Sequence, residues 1–228
     1  MADTINSQLY DLLKLPGSFD FPFNQLNKLG KITSSDSKIR IFTWNLPSSD
    51  GANSYFGFLQ YRQDGKHDIT LVKLTDHRAE IADPGESTLT PDHWYGMLVY
   101  EIVETEINNM IYYTLLGFEN RDLFLSCKIA DVLYFNDDHE PMFGKALFHY
   151  HNKYLCRILF WYSARVQMSL HWNDKLNMIV FDHLSPANES YTGNYQYYGP
   201  DLSFDALRFE NGIWELKENI DVRNSNDR

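Results

Sequence analysis

Asp182, His183 and Ser185 fall within four residues, just after the apolar run Met178-Ile179-Val180-Phe181. An imidazole beside a carboxylate can act as a general base or a metal ligand. Adjacent strand residues point to opposite faces, however, so Asp182 and His183 need not meet. Ser and Asp after a strand also form turns, and that structural reading weighs more here. The run Tyr195-Gln196-Tyr197-Tyr198-Gly199-Pro200-Asp201-Leu202-Ser203-Phe204-Asp205 follows. Tyr197 and Tyr198 interleaved with Asp201 and Asp205 could bind a carbohydrate or a cation. They could equally be a structured cover whose tyrosines fill one end of the domain. The stretch from His183 to Asp205 reads as a long polar loop, and long loops in compact domains are often functional.

Three weaker constellations lie upstream. Arg157, Trp161, Arg165 and His171 share one face of an alternating segment. Guanidinium groups lining a cavity would hold an anion. Arg157 and Arg165 would be roughly 26 Å apart on an extended strand, too far to grip one small anion. Asn136-Asp137-Asp138-His139-Glu140 offers oxygen ligands but does not match the twelve-residue calcium loop, so a solvated hairpin tip is expected. His149 and His151 share a face without a third ligand. Cys127 and Cys156 lack any CxxC or Cys/His spacing, which leaves core thiols or a disulfide. No GxSxG, P-loop, GxGxxG or HExxH is present. No cofactor, metal or catalytic residue is assigned.

Composition narrows the partners. The net charge of −11 repels phosphate backbones and sets nucleic acid aside. The charge is compatible with a cationic protein partner. No run of 18 apolar residues occurs, so no membrane-spanning helix is expected. The N-terminus, Met1-Ala2-Asp3-Thr4, has no basic and apolar leader pattern. The pattern therefore fits a cytosolic protein or the mature form of an exported one.

The elements that must position these residues follow from periodicity. Leu9, Leu12 and Leu13 predict a helix over Ser7 to Leu15, stopped by Pro16-Gly17. A further helical turn is expected over Asn24 to Leu29. From Lys38 the period becomes two. Strands are expected over 38–45, 54–61 and 69–74, with a turn at Asp64-Gly65. More are expected over 94–104, 110–118, 123–129, 145–150, 155–165 and 176–181. The last pair, 207–209 and 213–216, is joined at Asn211-Gly212. Alternation is clearest from Cys156 to Trp172, which predicts one long strand or two joined by a bend. Short connections favour a meander. The fold class is mainly all-β: an antiparallel, strongly curved sheet, partly closed barrel or sandwich. Residues 1–36 form a helical or extended arm, 37–220 a single β domain and 221–228 a polar tail.

The stretches Ser18-Phe19-Asp20-Phe21-Pro22-Phe23, Arg40-Ile41-Phe42-Thr43-Trp44-Asn45, Tyr112-Tyr113-Thr114-Leu115-Leu116-Gly117, Ile179 to Pro186, Tyr198 to Asp205 and Asp221-Val222-Arg223-Asn224 together resemble an uncharacterised family of exported Bacteroidota proteins. The resemblance runs from Ser18 to the end. It implies a place in the envelope, in the periplasm or at the cell surface. It carries over no catalytic residue. The first functional expectation is a non-enzymatic binding or accessory subunit of an envelope assembly, with a protein partner. The second is a small-molecule or lipid binder with a cavity in the barrel. The third is an envelope carbohydrate hydrolase that uses Asp182, His183 and Asp201 or Asp205.

Overall fold

The alternating segments become strands in a computed structural model that describes residues 2–48, 51–62 and 68–222. Among the described residues there are fifteen strands and one α-helix. The turn expected at Asp64-Gly65 and the end of the tail, from Arg223, lie outside the described residues.

The strands form three sheets. The first holds β1 (Gly30–Thr33), β2 (Ile39–Pro47), β3 (Asn53–Arg62) and β4 (Ile69–Thr75) in sequential order. The second holds β5 (Leu98–Ile107), β6 (Met110–Asn120), β7 (Leu125–Phe135) and β11 (Arg157–Ser163), in the order β11-β7-β6-β5. Short β8 (Pro141–Phe143) adds to the end of β7. The third runs β10 (Lys153–Leu155), β9 (Phe148–Tyr150), β15 (Ile213–Lys217), β14 (Tyr198–Glu210), β13 (Met178–Pro186) and β12 (Leu170–Asn173). All these pairings are antiparallel except β9 with β15. Three two-residue turns, Asn108-Asn109, His151-Asn152 and Asn211-Gly212, have positive φ at both positions. That geometry matches the right-handed twist of the hairpins they close.

The second sheet is the middle layer. Tyr113, Leu115, Cys127, Ile129 and Leu133 face the first sheet and meet Ile39, Ile41, Tyr55 and Leu59. Their neighbours Tyr112, Leu116, Ala130, Val132, Ile158 and Phe160 face the third sheet and meet Phe148, Ile179, Phe181, Leu207 and Trp214. Burial on both faces explains why β6 and β7 read as nearly continuous apolar runs. The helix α1 (Ala2–Leu13) covers the outer face of the first sheet. Its Leu9 and Leu13 pack with Phe23 onto Phe42, Trp44 and Phe58. No sheet closes on itself, so the architecture is a stack of antiparallel sheets and not a partly closed barrel.

Several boundaries differ from the sequence reading, and three segments bear on the site. Gly30–Thr33, inside the expected arm, is a strand paired with β2. The segment from Cys156 to Trp172 follows the second of its two expected forms, two strands joined by a bend over 164–169, but the two lie in different sheets. Its alternation persists because Ile158, Phe160, Tyr162, Met168 and Leu170 all enter the same core between the second and third sheets. The expected loop from His183 to Asp205 is mostly hairpin. β13 and β14 stay paired out to Pro186 and Tyr198, leaving 187–197 as the connection. These strand ends carry few buried residues, and so lack the apolar alternation that marks a strand in sequence.

Candidate functional site

The β13–β14 hairpin gathers most of the expected site residues. Leu207, Asp205 and, across the ladder, Phe181 and His183 follow the period-two inward face of the third sheet. Asp205 is 5% exposed. His183 Nδ1 donates to Asp205 Oδ2 at 2.7 Å, because a carboxylate can only accept. The other oxygen, Asp205 Oδ1, accepts the backbone N–H of Asn219 at 2.9 Å. The hydrogen bond to Asp205 raises the His183 pKa, and the charges of Asp205, Asp201 and Glu218 add to it against partial burial.

Opposite His183 the ladder slips: Asp182 pairs with Phe204, whereas Leu184 pairs with Pro200. Asp201, Leu202 and Ser203 fill this bulge. Asp201 Oδ1 accepts from Ser203 N and Oγ, at 3.0 and 2.6 Å, and the hydroxyl bond lowers its pKa. Leu202 sits at φ +75° with its side chain 92% exposed. Bulges commonly re-aim side chains next to functional sites.

The connection beyond the strands is braced internally. Asn188 Oδ1 accepts from Ser190 N, and Ala187 N donates to Tyr197 O. Gly193 N donates to the Tyr198 hydroxyl at 3.0 Å. The rings of Tyr191 and Tyr197 stack at 4.1 Å, and those of Tyr195 and Tyr198 meet at 5.0 Å. The turn at Tyr195–Tyr197 leans on β11. The tyrosines therefore serve as the structured cover, and part of their surface stays open. They cover one end of the stack, and Tyr191, Tyr195 and Tyr197 remain substantially exposed.

Other expected residues fall elsewhere. Asp182 lies on the opposite strand face from His183, and its Oδ2 accepts from Ser169 N at 2.7 Å. Arg157 is not a ligand-facing group. It is fully buried, 2.8 Å from the equally buried Asp131, and its Nη1 donates to Pro84 O at 2.6 Å. Arg165 is exposed in the turn after β11. Trp161 packs under the Arg121 guanidinium at 4.4 Å. Arg157 is therefore engaged in a buried ion pair, and Trp161 in a contact with Arg121. Cys127 and Cys156 are both free and buried, which settles the thiol question against a disulfide. Burial pushes both thiols up. His149 contacts Glu215 at 2.9 Å, and His151 reaches Glu218 at 4.0 Å. Among the described residues, no group of three or more His, Cys, Asp or Glu side chains is arranged to hold a metal ion.

Sequence reasoning passed over Leu202 as a site residue. Its signal was faint: an apolar residue between Asp201 and Ser203 in a polar stretch. It also missed Tyr191, whose spacing from Tyr197 shows pairing only once the connection is folded. Comparison of the chain with protein-family models, with curated proteins and with solved structures finds no match.

Proposed function

We propose that this chain is a non-enzymatic recognition module, an accessory subunit of a bacterial envelope assembly that holds a protein partner through its β13–β14 hairpin. The carrying observation is Leu202. A β-region backbone would cost a leucine less than the left-handed one, yet here the side chain is held out into solvent. Around it, the same hairpin displays Tyr191, Tyr195 and Tyr197 on a hydrogen-bonded frame. Tyrosine supplies large, rigid contact area at low entropic cost and is enriched at interface cores. The envelope location, periplasm or cell surface, comes from the family resemblance.

The geometry supports the other readings less. A carbohydrate hydrolase needs two carboxylates flanking one bond. Asp182 is turned to the other face, and both oxygens of Asp205 are already engaged. The cavity reading places its ligand inside a barrel, whereas no sheet here closes on itself to enclose one.

The test is site-specific photo-crosslinking in a Bacteroidota host, with the probe at Leu202 or Tyr197 and, as a control, at Lys73 of β4. A discrete adduct to one protein from the hairpin positions alone is the expected result. Its loss from the Tyr197 probe in a Leu202→Gly variant that melts no lower than the parent would tie it to the side chain. No adduct, or equal adducts from Lys73, would overturn the reading.

A further inference from the structure

A second feature lies where the first and second sheets splay apart, on elements that play no part in the hairpin surface. The end of β3 and the residue before β2 form one wall, with Tyr61, Arg62 and Lys38. The β5–β6 turn and the start of β6 form another, with Asn109, Met110 and Ile111. The end of β7 and the turn into β8 complete it with Phe135, Asn136, Asp137 and His139. The cleft encloses about 500 Å³, within the range of small-molecule sites.

Its chemistry is layered. Tyr61 and Phe135 meet at 4.8 Å, and Ile111 and Met110 continue this apolar floor. The rim is polar. Asn136 Oδ1 accepts from Asp138 N and Glu140 N, which fixes the turn. Among the described residues, no hydrogen bond engages the side chains of Asn109, Asp137 or His139.

His139 gives the second observation. It occupies φ +61° in a tight turn, with its N–H donating to Asn136 O. In such a hairpin turn the left-handed position favours glycine or asparagine. Histidine is among the non-glycine residues that adopt this region, and here it places an imidazole at the cleft's edge.

The rim's charge selects the ligand class. Arg62 is already paired with Asp20, at 2.7 and 2.9 Å. Lys38 and Asp137 bring opposite signs to the same opening. Neither an anion nor a cation finds a uniform field. An apolar floor under amide, carboxylate and imidazole groups suits a ring with one apolar face and hydroxyls at its edge. We infer that this cleft binds a neutral saccharide, with the sugar ring over Phe135 and its hydroxyls at Asn109, Asp137 and His139.

The experiment screens the whole chain on an array of neutral mono-, di- and trisaccharides of hexoses, N-acetylhexosamines and deoxyhexoses. The best binder is then titrated calorimetrically. Expected is saturable binding that weakens about tenfold in His139→Gly and in Asn109→Gly, the loss of roughly one good hydrogen bond each. His139→Gly should melt no lower than the parent, because glycine accepts this backbone. Tyr197→Ala, on the third sheet, should bind as the parent does. Absence of any saturable binding across the array overturns the inference. So does a sugar whose affinity is unchanged in both cleft variants.

Discussion

His183 and Asp205 show what a single pair contributes. The folded-state pKa of His183 lies above its ordinary value of 6.5. The pair's stabilisation is therefore complete below about pH 6.5 and fades as pH rises through the raised folded value. His183→Gln should lower the melting temperature clearly at about pH 5.5 and much less at about pH 8.5. An equal loss at both values would show that the imidazole acts by packing alone. Arg157 and Asp131 are the opposite case, with no solvent to soften a broken contact. Asp131→Asn should destabilise by about 3–5 kcal/mol, because it strands a buried guanidinium. The paired replacement Asp131→Leu with Arg157→Met should recover most of that loss in urea denaturation.

Among elements, the β13–β14 hairpin is the least expected from sequence. Its outer half has little buried core beneath it, Leu184 apart, and stands mainly on ladder pairing, the bulge at His183 and the bracing of 187–197. Leu202→Gly tests the bulge. Relief of the left-handed leucine should stabilise the fold by up to about 1 kcal/mol after the entropic loss of glycine. A destabilisation seen by thermal melting would mean that the leucine side chain is packed and not displayed.

Across the whole molecule, stability depends on three stacked layers and on what seals their outer faces. The helix α1 seals the first sheet. Leu13 is 1% exposed, and its carbonyl accepts from Gln60 Nε2 of β3 and from Ser18 Oγ. Leu13→Ala should cost about 2–5 kcal/mol, measured as a lower denaturation midpoint at unchanged slope. If the midpoint holds, the helix is a loose arm and not part of the core. At the other side, Ile220 and Val222 pack against Met178, Val180 and Ala206, so the last described residues seal the third sheet. No helix among the described residues is long and apolar enough to cross a membrane.

Much of the fold was legible in the chain because it is written locally. Alternation placed β2, β3 and β11 within a few residues, while Pro16-Gly17 marked the end of the helix and Asn211-Gly212 the last hairpin turn through backbone preference alone. Net charge and absent motifs narrowed the function classes for the same reason, since composition needs no coordinates. What tertiary structure decided was everything that depends on residues distant in sequence. Period two tells which residues share a face but not which sheet that face meets. The run from Cys156 to Trp172 could thus change sheets without breaking its pattern. Likewise Asp182, adjacent to His183 in sequence, points away from it, whereas Asp205, 22 residues on, holds it at 2.7 Å. Strand pairing, not spacing along the chain, determined which carboxylate the histidine meets.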